Sequence, residues 1–319
     1  MRDFMTVALA CFLALAAAPA KAAGTKFTIA VFTKNTTNPA YAAFRLAADQ
    51  IARSAGARIV HYVPKKPDNA DEQIEMVEQV LKDRPDAVVF IPVDDVAMID
   101  SVKKLNAARI PVVLASNPLP GDFVSYVGAD DFEIGYRQAR YLFDRLGGKG
   151  RIVIIEGVPV APTNRERVRG YRRALAEFPG ITLLGSGAGN YQQPDAERLM
   201  AKFIEDFPEI DAVLSANDSM AIGALEALKE AGRTSVVIGI NGILPAIKLI
   251  ESGALLASVD FNMFKIGCTA TRAALRHLEG EPLPPRILLP AEIVDRTNYR
   301  AWLVPVEQRS CPEWSEVVR

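Results

Sequence analysis

Apolar and polar positions along the chain alternate between two periods with few long gaps. Residues 27–33 form a short apolar run rich in β-branched side chains, and a helical pattern over 41–54 follows it. Residues 58–63 read as a strand. Residues 70–81 read as a helix, with Ile74, Val77, Val80 and Leu81 on one stripe. Further buried-strand runs at 87–91 and 111–115 flank a helix around 96–107, and 124–127 closes this half.

The second half repeats the theme. Strands are expected at 151–155, 181–184, 212–215, 236–240 and 256–259, and helices at 132–146, 165–178, 195–207, 219–231, 245–252 and 262–279. Unbroken apolar strands joined by helices mean parallel sheets covered on both faces. About ten strands are too many for one compact sheet. The pattern predicts two α/β lobes, each a doubly wound parallel sheet.

Residues 1–22 read differently. Arg2 precedes an apolar run over 4–18, and Ala20-Lys21-Ala22 fits a small-x-small cleavage rule, with Ala18-Pro19-Ala20 as a competing site. The run is short for a membrane span, so a cleaved secretory signal peptide and a periplasmic mature chain are expected. Cys11 lies inside that run with Ala8 three residues before it, which argues against a lipid attachment motif.

Composition narrows the function. The chain has 319 residues, 50% hydrophobic and 24% charged, with a formal net charge of −1. So balanced a surface lacks the basic footprint that nucleic acid requires. Two histidines, His61 and His277, sit on unrelated segments, which leaves little material for a metal site or a Ser-His-Asp triad. Cys268 and Cys311 could pair in an oxidising compartment, although Cys268 falls in an apolar helical stretch where a buried free thiol is the commoner state.

Ligands of doubly wound sheets sit beyond the carboxyl ends of the strands. That rule selects 34–38, 92–95, 116–119, 157–167, 217–218, 241–242 and 260–262. No glycine turn follows the first strand, where Lys34-Asn35-Thr36-Thr37-Asn38-Pro39 stands instead. The glycines at 185, 187 and 189 miss the dinucleotide spacing and read as a plain loop. Asp94-Asp95 and Asp130-Asp131 follow strands and precede helices, so capping explains them better than acid–base chemistry. No cofactor or metal is expected. Four amides, Asn38, Asn117, Asn217 and Asn241, stand at four different strand ends with Tyr41, Tyr191 and Phe261 nearby. That set suits a polyhydroxylated small molecule, held by planar polar groups and stacked on aromatic faces.

The chain resembles the ribose/allose/galactose-type periplasmic sugar-binding proteins, whose type I fold is shared with lac-repressor-type regulators. The motifs that carry this are Thr37-Asn38-Pro39-Ala40-Tyr41, Ile110-Pro111-Val112-Val113, Val127-Gly128-Ala129-Asp130, the run Arg165 to Tyr171, the run Ser215 to Ala224, and Ile238-Gly239-Ile240-Asn241-Gly242. The resemblance implies two lobes joined by a three-strand hinge, with crossings near Ala129, Asp260 and Pro290. The first lobe would comprise 23–129 plus 261–290 and the second 130–260 plus 291–319. It also implies a monomeric, non-catalytic receptor that hands a sugar, polyol or related ligand to an ABC permease and its ATPase. A periplasmic sensor, or a binder of a small hydroxy acid, is the alternative. Lys34, Asn38 and Tyr41 would serve from the first lobe, Arg167, Tyr191, Asn217 and Asn241 from the second, and Phe261 from a crossing.

Departures from the family pattern matter for the ligand. Ser116-Asn117 stands where Asp, often followed by Arg, is common, and Asn241 replaces an aspartate. Lys34 and Arg167 remain, and a buried cation without a partner is costly. Either Asp218, Asp260 or Asp94 supplies the charge, or the ligand does. The expected ligand then has fewer hydroxyls than a hexose, is more apolar, or carries a carboxylate.

Overall fold

The computed structural model describes residues 26–318. The signal peptide reading and the Cys11 reading fall on 1–22, outside the described residues.

Two six-stranded sheets build the molecule. In the first, β1 (Thr28–Phe32) pairs in parallel with β2 (Arg58–Tyr62) on one side and β3 (Ala87–Phe90) on the other. Next come β4 (Val112–Ala115) and β5 (Ser125–Gly128), also parallel. In the second, β6 (Lys149–Glu156) lies between β7 (Gly180–Ala188) and β8 (Ala212–Ser215), followed by β9 (Val236–Ile240) and β10 (Ala257–Asp260). The strand order 2-1-3-4-5 thus occurs twice, and each sheet has its switch point beside its first strand.

Two short strands complete the sheets. β11 (Arg286–Leu288) adds to β5 in parallel, and β12 (Glu292–Val294) adds antiparallel to β10. At three residues each they are too short to stand out as strands, although Ile287-Leu288-Leu289 is apolar, and the count reaches twelve instead of ten. The glycine run expected as a loop is the end of β7: Gly185 and Gly187 belong to the strand. Leu199 and Phe203 cover it so closely that a Cβ at Gly187 would meet Leu199 at 2.9 Å.

Helices cover both faces. The first sheet carries α1 (Pro39–Ser54), α2 (Ala70–Asp83) and α3 (Ile99–Ala107). The second carries α4 (Asp131–Arg145), α5 (Pro162–Glu177), α6 (Gln193–Asp206), α7 (Asp218–Glu230) and α8 (Leu244–Ser252). α9 (Met263–Leu278) returns to the first sheet and packs on α1, β3, β4 and β5. Asp130 caps α4 as expected, accepting from the Glu133 N–H at 3.0 Å. Asp94 stabilises its own turn, accepting from the N–H groups of Val96 and Ala97.

The tail beyond β12 spans both sheets. A 3₁₀ turn, Tyr299–Leu303, packs on α8, and Trp302 Nε1 donates to Asp260 at the end of β10, 2.7 Å away. Farther on, Cys311 is disulfide-bonded to Cys268 of α9, with Cα atoms 5.6 Å apart. Arg276 of α9 lies over the Trp314 ring at 4.8 Å. Cys268 is buried, as its apolar helix suggests, but it is not a free thiol. The partner that decides its state lies 43 residues away on a segment without periodicity. Residues 311–318, expected with the second lobe, therefore lie against a helix of the first.

Candidate functional site

The carboxyl ends of both sheets face one another across a cleft. Asn35, Asn38, Ala40, Tyr41, Asp68, Ser116 and Asn117 line it from the first sheet. Thr163, Arg167, Tyr191, Asn217 and Asn241 line it from the second, and Phe261 and Met263 from the crossing between β10 and α9. The free cavity between them is only about 20 Å³, room for about one water molecule, so the cleft is closed on itself. Nine of the ten residues selected from sequence line this space. The tenth, Lys34, is 1% exposed and stands behind Asp68.

Helix capping aims the amides. Asn38 caps α1 through its Oδ1, accepting from the Ala40 N–H at 2.9 Å, and Asn217 caps α7 the same way from the Met220 N–H at 2.8 Å. Each cap consumes the oxygen and directs the Nδ2 group toward the cleft. Asn38 Nδ2 then donates to Asn241 Oδ1 across the cleft at 3.4 Å, and Asn217 Nδ2 donates to the Tyr191 carbonyl at 3.2 Å. Asn117 is held by its donor instead: Nδ2 bonds the Pro92 carbonyl at 2.8 Å. Gln73 holds the backbone on either side of Pro92, donating to Ile91 O and accepting from the Val93 N–H.

Backbone strain gathers here. Among the described residues, eight that are not glycine have positive φ, and four of them line the cleft: Asp68 at 55°, Ser116 at 56°, Tyr191 at 59° and Asn241 at 126°. Such conformations persist where the surroundings hold them and concentrate at binding sites. Tyr191 depends on glycine too, since a Cβ at Gly157 would sit 2.1 Å from its ring. Its hydroxyl is 3.1 Å from Thr163 Oγ1.

Both cleft cations have carboxylate partners inside the protein. Lys34 Nζ is 2.9 Å from Asp68 Oδ1, and Arg167 reaches Asp131 Oδ1 at 2.8 Å while donating to Ala216 O at 2.7 Å. Burial would lower the Lys34 ammonium, but the Asp68 carboxylate and the Tyr41 and Tyr191 phenols outweigh it and hold it above its ordinary value. Burial lifts the Tyr41 phenol to about 12. Arg167 also lies over the Phe261 ring at 5.2 Å.

This overturns the charge argument made from sequence. Asp218, Asp260 and Asp94 do not pair with these cations: Asp218 accepts from Ser258 and the Ile243 N–H, and Asp260 from Trp302 and the Asn262 N–H. With Asp68 and Asp131 in place the cleft is neutral, and nothing in it calls for an acidic ligand. Sequence reasoning missed both carboxylates. Asp68 was findable: it follows a strand, in the turn Pro67-Asp68-Asn69, and the strand-end rule applied to β2 selects it. Asp131 was set aside with Asp130 as a cap.

Three contacts hold the cleft shut. Besides Asn38 to Asn241, Thr37 Oγ1 donates to Gln192 Oε1 at 3.0 Å, and Arg165 forms an ion pair with Asp95.

Known proteins resemble this chain in sequence and fold. The model of the family described as "periplasmic binding protein domain" matches residues 29–282. The ribose import binding protein RbsB of Bacillus subtilis is 27% identical over 84% of this chain and 87% of its own length. The xylitol-binding protein of Mycolicibacterium smegmatis is 33% identical over 58% of this chain and 54% of its own length, so that match spans about half of the relative. The crystal structure of an ABC transporter periplasmic solute-binding protein from Actinobacillus succinogenes, with bound D-allose, superposes with a TM-score of 0.82 at 28% identity, covering 86% of this chain and all of that one. This chain belongs to the periplasmic binding protein domain family.

Proposed function

We propose that the protein is a periplasmic receptor that encloses a neutral sugar or polyol in the cleft and delivers it to an ABC importer. The observation that carries this reading is the charge balance of the cleft: Lys34 and Arg167 are each neutralised by a buried carboxylate, leaving amides, hydroxyls and aromatic faces to meet the guest. Those groups suit a hydroxyl-rich, uncharged molecule. Relatives named for ribose and xylitol, and a solved relative holding D-allose, support the same ligand class.

In this reading Asn38, Tyr41, Ser116 and Asn117 meet the ligand from the first lobe and Arg167, Tyr191, Asn217 and Asn241 from the second, with Phe261 at the crossing. Lys34 acts through Asp68. Among the described residues the lobes are 26–129 with 261–290 and 130–260 with 291–310, and 311–318 go with the first. The protein binds without catalysing. The lining residues are built for holding, since their caps and ion pairs occupy the groups that a proton transfer would need. Export behind the signal peptide, a monomeric state, and a permease with its ATPase as partners complete the proposal.

Titration calorimetry with ribose, xylitol and D-allose, and with ribonate as an acidic counterpart, tests it. A neutral compound should bind while ribonate does not. Binding of ribonate alone would overturn the neutral-ligand reading, and turnover of any of them would overturn the receptor.

A further inference from the structure

Among the described residues the chain passes between the two sheets after β5, after β10 and after β11, and then once more through its tail. The 3₁₀ turn Tyr299–Leu303 is fixed to the second lobe: it packs on α8, where Tyr299 Oη donates to Glu251 Oε1 at 3.4 Å, and Trp302 holds Asp260. From Cys311 onward the tail is fixed to the first lobe. The disulfide ties it to α9, Arg272 of that helix donates to the Pro312 carbonyl, and Arg276 lies over Trp314. Only residues 304–310 lie between these two anchors.

That link is coiled, not stretched. Val306–Gln308 forms a second 3₁₀ turn, in which the Gln308 N–H donates to Pro305 O at 3.0 Å. Arg309 folds back over it, with Nε donating to Val304 O and Nη2 to Trp302 O, both at 3.2 Å. The link covers a cavity of about 170 Å³, walled by Pro39 and Ala43 of α1 on one side and by Gly242 and Leu244 on the other. Ala40, Asn241 and Met263 line both this cavity and the cleft, so the link lies along the cleft's flank. The two walls belong to different lobes and must part whenever the cleft opens.

We propose that residues 304–310 are a strap, tied to the first lobe by the Cys268–Cys311 disulfide, that restrains opening of the cleft. Opening draws the anchors apart, and the strap can follow only by giving up the Arg309 bonds and its 3₁₀ turn. Fully extended it reaches about 25 Å, which sets an outer limit on the motion. The strap therefore raises the closed fraction before a guest arrives, and apparent affinity scales with the fraction of protein in the competent state. This deepens the receptor reading above and rests on it for the consequence in affinity.

Two alterations release the strap by different routes. Cys268→Ala/Cys311→Ala removes the tie. Inserting six alternating glycines and serines between Arg309 and the exposed Ser310 keeps the disulfide and the Arg309 bonds while adding up to about 20 Å of slack. Small-angle X-ray scattering without sugar reads the opening, and stopped-flow with the tightest binder among ribose, xylitol and D-allose reads the consequence. Both altered proteins should show a larger radius of gyration than the native protein without sugar and the same one with it. Both should bind about 3- to 30-fold more weakly, chiefly through faster dissociation. Circular dichroism checks that each is folded, and the insertion stands alone should the disulfide-free protein unfold. Native dimensions and affinity in the insertion protein would overturn the strap, even if the disulfide-free protein expands, because that expansion would come from loosening around α9. Should none of the three sugars bind the native protein, the receptor reading fails while the scattering comparison still decides the strap.

Discussion

Asp131 and Arg167, 36 residues apart in sequence, meet at 2.8 Å because two glycines let their helices touch. A Cβ at Gly135 would lie 2.3 Å from the Arg167 carbonyl oxygen, and one at Gly170 would lie 2.4 Å from the Phe132 carbonyl oxygen. α4 and α5 therefore pack backbone to backbone, and the guanidinium is delivered to the cleft already paired.

Breaking that pair should cost more than removing it. Asp131→Ala leaves a buried guanidinium alone and should lower unfolding free energy by about 3–5 kcal/mol. Asp131→Leu/Arg167→Met should recover most of that loss and still bind the preferred polyol at least about tenfold more weakly. Denaturant unfolding with calorimetry separates the two effects. Equal destabilisation of single and double variants would refute the pairing argument.

Gly157→Ala should damage binding more than stability. The added methyl lies within 2.1 Å of the Tyr191 ring, which must leave its seat beside Thr163. Affinity should fall by at least about tenfold, since a displaced aromatic forfeits its contact with the guest. Unchanged affinity would take Tyr191 out of the ligand's surroundings.

Stability should decline from pH about 4 to about 7 through Asp218. Burial raises this carboxyl from its ordinary value of 3.8 to about 7, against hydrogen bonds from Ser258 and the Ile243 N–H that pull it down. The folded state holds its proton more tightly than the unfolded state. The contribution is therefore complete below pH about 4 and is lost as pH rises through about 7, at no more than about 1.4 kcal/mol per pH unit. Asp218→Asn should flatten that slope, read from unfolding free energies at pH 5 and pH 7.5. A slope unchanged by the substitution would show that other groups carry it.

Cys268→Ala/Cys311→Ala should lower stability by about 4 kcal/mol, the chain-entropy value for a closure of this size. Reductant should reproduce the loss in the native protein and have no effect on the variant. Guanidinium midpoints measured with and without reductant check both statements.

Residues adjacent in sequence were enough to determine the repeated strand–helix alternation, the two parallel sheets, and the amides and aromatics placed at strand ends. Each follows from a period or a cap that spans a few positions, so side-chain chemistry expresses it locally. What pairs with what was decided by the tertiary structure. Asp68 faces Lys34, Asp131 faces Arg167, and Cys311 reaches Cys268 because sheet order and helix packing bring distant loops together. The two short strands at 286–288 and 292–294 owe their existence to the edges they complete. The cleft's charge balance is a property of those pairings: a Coulomb interaction depends on distance in space, and composition records only which charges are available.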